Sequence, residues 1–369
     1  MLPYQPNQLL IERSVLSSSI TRNVLSKLGG LPVRVIDSSS ALLEDSKRLR
    51  PSVSTAKRQL VLAHHPGTFF KPCPASQSAG EVKNVCCDYF VINFASNCHM
   101  ECSYCYLQDY LNFPYMVVYA NLGDLLQQME EVLTAQPDKF FRIGTGELAD
   151  SLALDELTGY AGPLVEFFAA RKNAILEFKT KSNCVANLLG LRHDKRTVVS
   201  WSISPPRIQR SEEHKTATID QRLEAAQQCA AAGYPVSFHL DPLIFYPEWE
   251  NEYHLLLEDI FQRVPASSIG WFSLGGLRLT AGLKTVMRRR FPKSLLHRGE
   301  LVPSRDGKMR YFKPIRVGMF RTILTWIKTR WPATPVYTCM EGPDVWNRVF
   351  DEPPPRPSQL NRLVTLSRQ

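Results

Sequence analysis

The chain has 369 residues, of which 44% are hydrophobic and 21% charged, proportions of a soluble globular protein that exclude wholesale disorder, collagen-like repeats and long coiled coils. At roughly 150 residues per domain it has room for one large domain or two ordinary ones. The formal charge of +9 is concentrated: fourteen Lys and Arg lie between Lys284 and Arg330 against only Glu300 and Asp306, so that segment carries +12 and the remainder −3. A basic face on a slightly acidic body points to a polyanion partner, with nucleic acid ahead of a merely solvated surface. No apolar run reaches the ~18 residues of a membrane span, and the first residues lack a basic stretch followed by an apolar one, so a cytoplasmic location is expected. Nine cysteines, an odd number, fit thiols or metal ligands better than a disulfide framework.

Residues 1–85 hold short apolar patterns (LLIER, VRVID, QLVLAHH) around Ser38-Ser39-Ser40 and the basic run Lys47 to Arg50, and are expected to form a small N-terminal region. From residue 86 to 290 the pattern becomes regular. Strand-like runs DYFVINF, FFRIGT, AILEFKT, TVVSWSI, PVSFHL and SIGWFSL alternate with helical patterns near 122–135, 155–171, 184–190, 219–232, 251–263 and 279–290. Strands alternating with helices imply parallel βαβ units, and six of them suit a partial (β/α) barrel with its chemistry at the carboxyl ends of the strands. Leu122, Leu125, Leu126, Met129, Val132 and Leu133 share one helical face. Residues 291–350 form a basic extension in which Arg305-Asp306-Gly307-Lys308 predicts a hairpin with an Asp-Gly turn. The Pro-rich residues 351–369 are expected to be loosely ordered.

Cys98, Cys102 and Cys105, in SNCHMECSYCYLQ, follow the strand candidate FVINF. Structural zinc would want a fourth ligand, and locally only His99 stands near, wedged between the thiols. A four-iron cluster held by three cysteines instead leaves one iron open to a substrate or cofactor. The spacing Cys-x3-Cys-x2-Cys, with Tyr104 before the last cysteine, resembles the signature of the radical S-adenosylmethionine (SAM) superfamily. Further along, CSYCYLQ, Pro114-Tyr115, Val118 to Leu122, Asp150 with Leu154 to Thr158, Thr180-Lys181, Trp201 to Ile203, Arg222 to Ala226 and Gly233 to Pro235 together resemble the spore photoproduct lyase family over roughly residues 60–335.

The resemblance implies a partial (β/α)6 radical SAM barrel holding a [4Fe-4S] cluster and S-adenosyl-L-methionine, with a 5′-deoxyadenosyl radical that takes a hydrogen from the methylene bridge of a thymine dimer in ultraviolet-damaged DNA. It implies cluster ligation by Cys98, Cys102 and Cys105, and SAM contacts from Lys181 and Ser202 with Tyr104 and Tyr106 alongside. Gly144-Thr145-Gly146-Glu147 corresponds to a turn whose bare backbone approaches the methionine group. An electron donor such as flavodoxin or ferredoxin is implied as a partner. Each residue has a plainer use: Gly144 and Gly146 in an ordinary turn, Lys181 as a solvated strand-end cation, Ser202 and His239 as hydrogen-bonded core groups.

Glu147 stands where the family carries a cysteine that returns a hydrogen to the product radical, and a carboxylic O–H is a far poorer hydrogen-atom donor than a thiol. Cys339, in PVYTCMEG, is the first candidate to replace it, ahead of Cys86 and Cys87; Cys73 is assigned no role. Arg305, Arg310, Lys313 and Arg316, interleaved with Tyr311 and Phe312, are expected to engage DNA through phosphate contacts and a stacking or wedging surface. Two other readings remain open: radical modification of another nucleic acid or a peptide, and a DNA-binding protein with a structural or redox-sensing cluster.

Overall fold

The computed structural model describes residues 4–49, 52–74 and 84–366. All six predicted strands form, as Tyr89–Ile92, Phe141–Gly144, Ala174–Thr180, Thr197–Ser202, Val236–Leu243 and Ile269–Gly276, and they pair in parallel in that order. The sheet extends one strand further at each side. Val336–Thr338 adds a seventh parallel strand beside Ile269–Gly276, and Phe70–Pro72 pairs antiparallel with Tyr89–Ile92.

These two edges do not pair with each other, so the barrel is partial. It is nevertheless strongly curled. Arg142 and Tyr337 lie on strands five places apart, which in a flat sheet of ~4.8 Å spacing would separate them by ~24 Å, yet Arg142 Nη2 donates to Tyr337 Oη at 2.9 Å.

The helices follow from local chemistry. Leu122–Ala135 buries Leu122, Leu125, Met129 and Leu133 on one stripe. Ile219–Ala231 starts at a capping box in which the Thr218 and Gln221 side chains and backbones bond reciprocally. The helix expected over 155–171 is two, Asp155–Thr158 and Ala161–Ala169, because Gly159 adopts a left-handed φ of +67° and ends the first. Residues 186–190 are successive turns and 184–185 carry no regular element, so no helix forms there; a seven-residue stretch closed by Gly190 is too short to repay helix nucleation.

The N-terminal region supplies three parallel strands, Val33–Ile36, Gln8–Glu12 and Gln59–Ala63. Its sheet is completed by Met116–Tyr119 and Ala95–Ser96, which flank the cysteine loop. That loop is thus anchored in both sheets. The expected Asp-Gly hairpin is present: Val302–Pro303 pairs antiparallel with Met309–Arg310 around Gly307 at φ +75°, and Arg278–Leu279 joins as a third strand.

The carboxyl-terminal reading is corrected in part, since Pro357–Leu366 is a helix rather than a loose tail. Proline is well tolerated in a first helical turn, and Leu360 and Val364, one turn apart, bury completely against Ile175, Val198 and Trp271 at the amino end of the barrel. No described helix is long and apolar enough to cross a membrane.

Candidate active site

Cys98, Cys102 and Cys105 lie on a loop between Ala95–Ser96 and the short helix Leu107–Tyr110, beyond the carboxyl end of the first parallel strand. Three bonds shape it. Asn97, at φ +74°, accepts from the Cys98 N–H through its side chain (2.9 Å); Cys105 N–H donates to the Cys102 carbonyl (3.1 Å); and Lys57 Nζ reaches inside to the Met100 carbonyl (3.0 Å). Glu101–Cys102 pairs antiparallel with Glu213–His214, tying the loop to the far side of the mouth.

Burial pushes all three thiols up, Cys98 to about 12, so they remain protonated at neutral pH until a metal displaces their protons. Among the described residues no three His, Cys, Asp or Glu side chains converge tightly enough for one metal ion. A single zinc needs every ligand about 2.1–2.3 Å from one point, whereas a polynuclear cluster receives each thiolate on a different iron and tolerates wider spacing. Three thiols on one short loop match, in number and type, the ligands of a four-iron cluster that leaves one iron open. The His99 ring packs 5.3 Å from Tyr4, and burial lowers its pKa to about 4.

Opposite the loop, Lys181 follows the strand Ala174–Thr180. Its Nζ is 2.9 Å from Glu213 Oε1, and the same carboxylate binds Arg222 Nη2 (2.6 Å), Ser204 Oγ (2.9 Å) and the Tyr104 hydroxyl. Burial alone would raise the Glu213 carboxyl, but Lys181 and Arg222 hold it ionised. Tyr104 is thereby pinned by Glu213, while Tyr106, 44% exposed, donates its hydroxyl to the Glu147 carbonyl. Ser202 is buried at a strand end, level with His239, and its carbonyl accepts from Arg222 Nη1 (2.9 Å). Asp150, in the segment after Phe141–Gly144, fixes the end of Ala174–Thr180, accepting from the Lys181 N–H (2.7 Å) and the Thr180 hydroxyl (2.7 Å).

The sequence reading missed Glu213 as the hub. Its signal was the charged pair Glu212-Glu213 before His214, spaced to pair with the cysteine loop.

Gly144 is explained from within the fold. A Cβ there would lie 1.6 Å from the Tyr89 hydroxyl, so its bareness serves Tyr89 rather than a ligand. Gly146 is half-buried, and its Cβ would meet Lys179 and Ser151 at 3.1–3.2 Å. Glu147 lies 3.0 Å from Lys71 Nζ. Cys339 comes directly after the seventh strand; its N–H donates to the Leu274 carbonyl (2.7 Å) and its carbonyl accepts from Arg278 Nη1 (3.2 Å). Arg278 also grips Asp241 at 2.7 and 3.0 Å. Burial raises the Cys339 thiol to about 11, with Asp241 adding to it.

The basic extension divides. Arg305 is exposed, and Phe312 is 59% exposed. Lys313 is exposed but ion-paired with Asp344. Arg310 and Arg316 are corrections to the DNA reading: both are buried, Arg310 paired with Asp306 (2.5 and 2.8 Å) and Arg316 with Glu341 (3.0 and 3.2 Å). Arg310 braces the hairpin and Arg316 ties the helix Lys313–Arg330 to the segment after the last strand, because a guanidinium fork matches a carboxylate in two bonds. Tyr311 is buried as well, its hydroxyl accepting from the Phe245 N–H (3.2 Å), so it is no wedge. His239 is a core group bonded to Glu177 at 2.7 Å.

A curled, mostly parallel α/β half-barrel with a Cys-x3-Cys-x2-Cys loop over its carboxyl edge is the architecture of the radical SAM class. The family model described as spore photoproduct lyase matches residues 80–315, and the chain belongs to the spore photoproduct lyase family. It is 30% identical over 214 residues to the spore photoproduct lyase of Bacillus subtilis (strain 168), covering 57% of this chain and 63% of that one. A relative from Clostridium acetobutylicum is 22% identical over 292 residues, covering 78% and 83%. The matches to the Bacillus and Geobacillus relatives span a little under two thirds of their lengths. Among solved structures, a spore photoproduct lyase mutant with bound AdoMet and dinucleoside spore photoproduct superposes with a TM-score of 0.79 at 26% identity, covering 91% of this chain and all of that one. The lyase complexed with dinucleoside spore photoproduct gives 0.79 at 25%.

Proposed function

We propose that this chain is a radical SAM lyase that reverses the spore photoproduct, a methylene-bridged thymine dimer, in ultraviolet-damaged DNA. The observation that carries the reading is the three-thiol loop held across the barrel mouth from Lys181 and Ser202, in a chain of this family. The solved relative's AdoMet and dinucleoside spore photoproduct are the ligands the mouth is proposed to take.

Cys98, Cys102 and Cys105 would hold the [4Fe-4S] cluster. Lys181 would offer its ammonium to the SAM carboxylate, sharing it with Glu213, while Ser202 and the Gly146 backbone border the cofactor. Bound together, the two groups supply a carbon radical able to take a hydrogen atom from the lesion's bridge. The protein itself contributes positioning, exclusion of water and return of a hydrogen atom. Tyr104, fixed by Glu213, and Tyr106, with its hydroxyl on the Glu147 carbonyl, would sit beside the cofactor.

For hydrogen return we assign Cys339. Its support is its place beyond the carboxyl end of the last strand, among Asp241, Arg278 and Lys179, and a raised pKa that keeps the S–H bond intact. Arg305 and Phe312 on the hairpin would meet the DNA backbone and the opened duplex, since a lesion must leave the stack to reach a barrel mouth.

The test is anaerobic reconstitution followed by product analysis on irradiated DNA. Restoration of two adjacent thymines in the strand, with SAM cleavage, is expected. Cleavage of SAM with no change in the lesion, but with modification of RNA or a peptide, would transfer the same machinery to another acceptor. DNA binding with no 5′-deoxyadenosine would leave only a cluster-bearing DNA-binding protein.

A further inference from the structure

The cysteine loop is wired to the surface through one basic helix. Ala281–Arg290 packs on the short helix Leu107–Tyr110 that follows Cys105. Arg290 Nη1 donates to the Gln108 side-chain oxygen, and Gln108 Nε2 donates to the carbonyls of Cys102 (3.0 Å) and Ser103 (3.1 Å). Arg290 Nη2 also reaches Ser54 Oγ and Glu101 Oε2, both at 3.1 Å, and Glu101 adjoins Cys102. Thr280, which caps this helix, donates to Asp109.

Beside these bonds opens a cleft of about 560 Å³ lined by Ser52, Val53, Ser54, Glu101, Val286, Arg289, Arg290 and Phe291. Val53, Val286 and Phe291 make its wall apolar. Glu101, the acidic group in it, is neutralised by Arg290 and by Lys215 at 2.7 Å. From Ala281 to Lys293 there are five cations and no acid. Four of them, Lys284, Arg288, Arg289 and Lys293, form no ion pair within the described residues.

We infer that this cleft and helix are the docking surface for an acidic one-electron carrier protein, a reduced low-potential flavin or iron–sulfur protein. The inference rests on the proposed function, which needs an external electron at the cluster for each reductive cleavage. The transfer is simple in balance: the carrier's reduced cofactor loses one electron, the cluster gains it, and no bond is made or broken. Charge complementarity selects the partner, since Arg289 in the cleft, with Lys284 and Arg288 on the same helix, attracts and orients an acidic surface. Position favours electron delivery, because a carrier seated here is separated from the cluster loop by little more than Arg290 and Gln108.

The experiment uses the reconstituted holoenzyme, with oxidised flavodoxin as the binding probe and reduced flavodoxin or dithionite as electron source. The variants are Arg288→Glu/Arg289→Glu, and Arg288→Gln/Arg289→Gln as a milder pair, because acids at a helix carboxyl end also oppose its dipole. Calorimetry should show flavodoxin affinity reduced at least tenfold in the Glu pair and less in the Gln pair, with a flatter salt dependence. Iron content, dithionite-driven SAM cleavage and DNA affinity should stay within twofold of the unmodified enzyme. Unchanged flavodoxin affinity would overturn the inference. So would a parallel tenfold loss of DNA affinity, which would make this face part of the nucleic-acid surface. Absence of dithionite-driven cleavage in the unmodified holoenzyme would strike the proposed function instead, and the binding measurement would still report on docking.

Discussion

Glu147 is held on both sides: its carboxylate by Lys71 at 3.0 Å and its backbone carbonyl by Tyr106. A residue so occupied can position Tyr106 and close the mouth, but it offers no weak X–H bond to a product radical. Replacing Cys339 by Ala is therefore expected to leave SAM cleavage within a few-fold of normal while clean thymine product gives way to adducts with sulfite or dithionite, resolved by mass spectrometry of the digested DNA. Unaltered products would remove Cys339 from the reaction. Cys73 is then the thiol to examine, because its N–H bonds to the Tyr89 carbonyl (2.8 Å) and it lies within electrostatic reach of both Tyr106 and Cys339. Glu147→Cys should restore part of the clean turnover to Cys339→Ala. Cys102→Ala should abolish the cluster, read as loss of iron and of the charge-transfer absorption, together with all SAM cleavage. An unchanged iron content in that variant would place the metal elsewhere.

The strands illustrate why some of the fold is legible and some is not. FFRIGT, AILEFKT and PVSFHL are recognisable as strands by their continuous apolar character, as parallel strands covered on both faces should be. Among their polar residues, Arg142, Glu177 and His239 meet inside the barrel. Arg142 Nη2 binds Glu177 Oε2 at 2.9 Å, and Glu177 Oε1 accepts from Ser200 Oγ (2.8 Å) and faces His239 Nε2 (2.7 Å). Nothing local in any one strand announces its partner; the pairing follows from sheet order and curl. The same holds for Arg316, which reads as a surface cation because its partner Glu341 becomes adjacent only on folding, whereas Arg310 pairs with Asp306 four residues away in the hairpin. Burial alone would raise the Glu177 carboxyl, but Arg142 and His239 hold it ionised, and burial lowers His239 to about 4. Both groups bind fewer protons when folded than when unfolded, so acidification destabilises the fold. The His239 contribution is present above about pH 6.5 and is lost as pH falls from there towards 4; the Glu177 contribution is lost below the ordinary carboxylate range. Urea unfolding of the metal-free, reduced chain should lose up to about 1.4 kcal/mol per pH unit for each such proton, and His239→Asn should flatten the profile between pH 6.5 and 4. Glu177→Gln, which leaves Arg142 buried without its counter-ion, is expected to cost about 3–5 kcal/mol at neutral pH. A loss below ~1 kcal/mol would mean that water or Tyr337 compensates.

At the scale of the molecule, the +12 segment overstates the charge that DNA can use. Arg290, Lys308, Arg310, Lys313, Arg316 and Arg321 are each ion-paired, chiefly with acids from other parts of the chain. Lys328 and Arg330 end the helix Lys313–Arg330, which at 1.5 Å per residue sets them ~25 Å from the hairpin. With Lys284, Arg288 and Arg289 turned to the electron carrier, Lys293, Arg298 and Arg305 remain to neutralise phosphates beside the hairpin. Each neutralised phosphate contributes about −0.9 to the slope of log affinity against log salt on duplex DNA. The expected slope is therefore about −3, far shallower than fourteen cations would give, and Arg305→Ala should reduce it by about one. Arg310→Glu and Arg316→Glu should act differently, lowering stability by opening buried pairs before any effect on the salt slope can be read. Fluorescence anisotropy on an irradiated duplex between 50 and 300 mM salt measures all of these. A slope near −10 would show that the buried pairs open on binding and deliver their cations to the backbone; a slope near zero would remove the hairpin from the DNA interface.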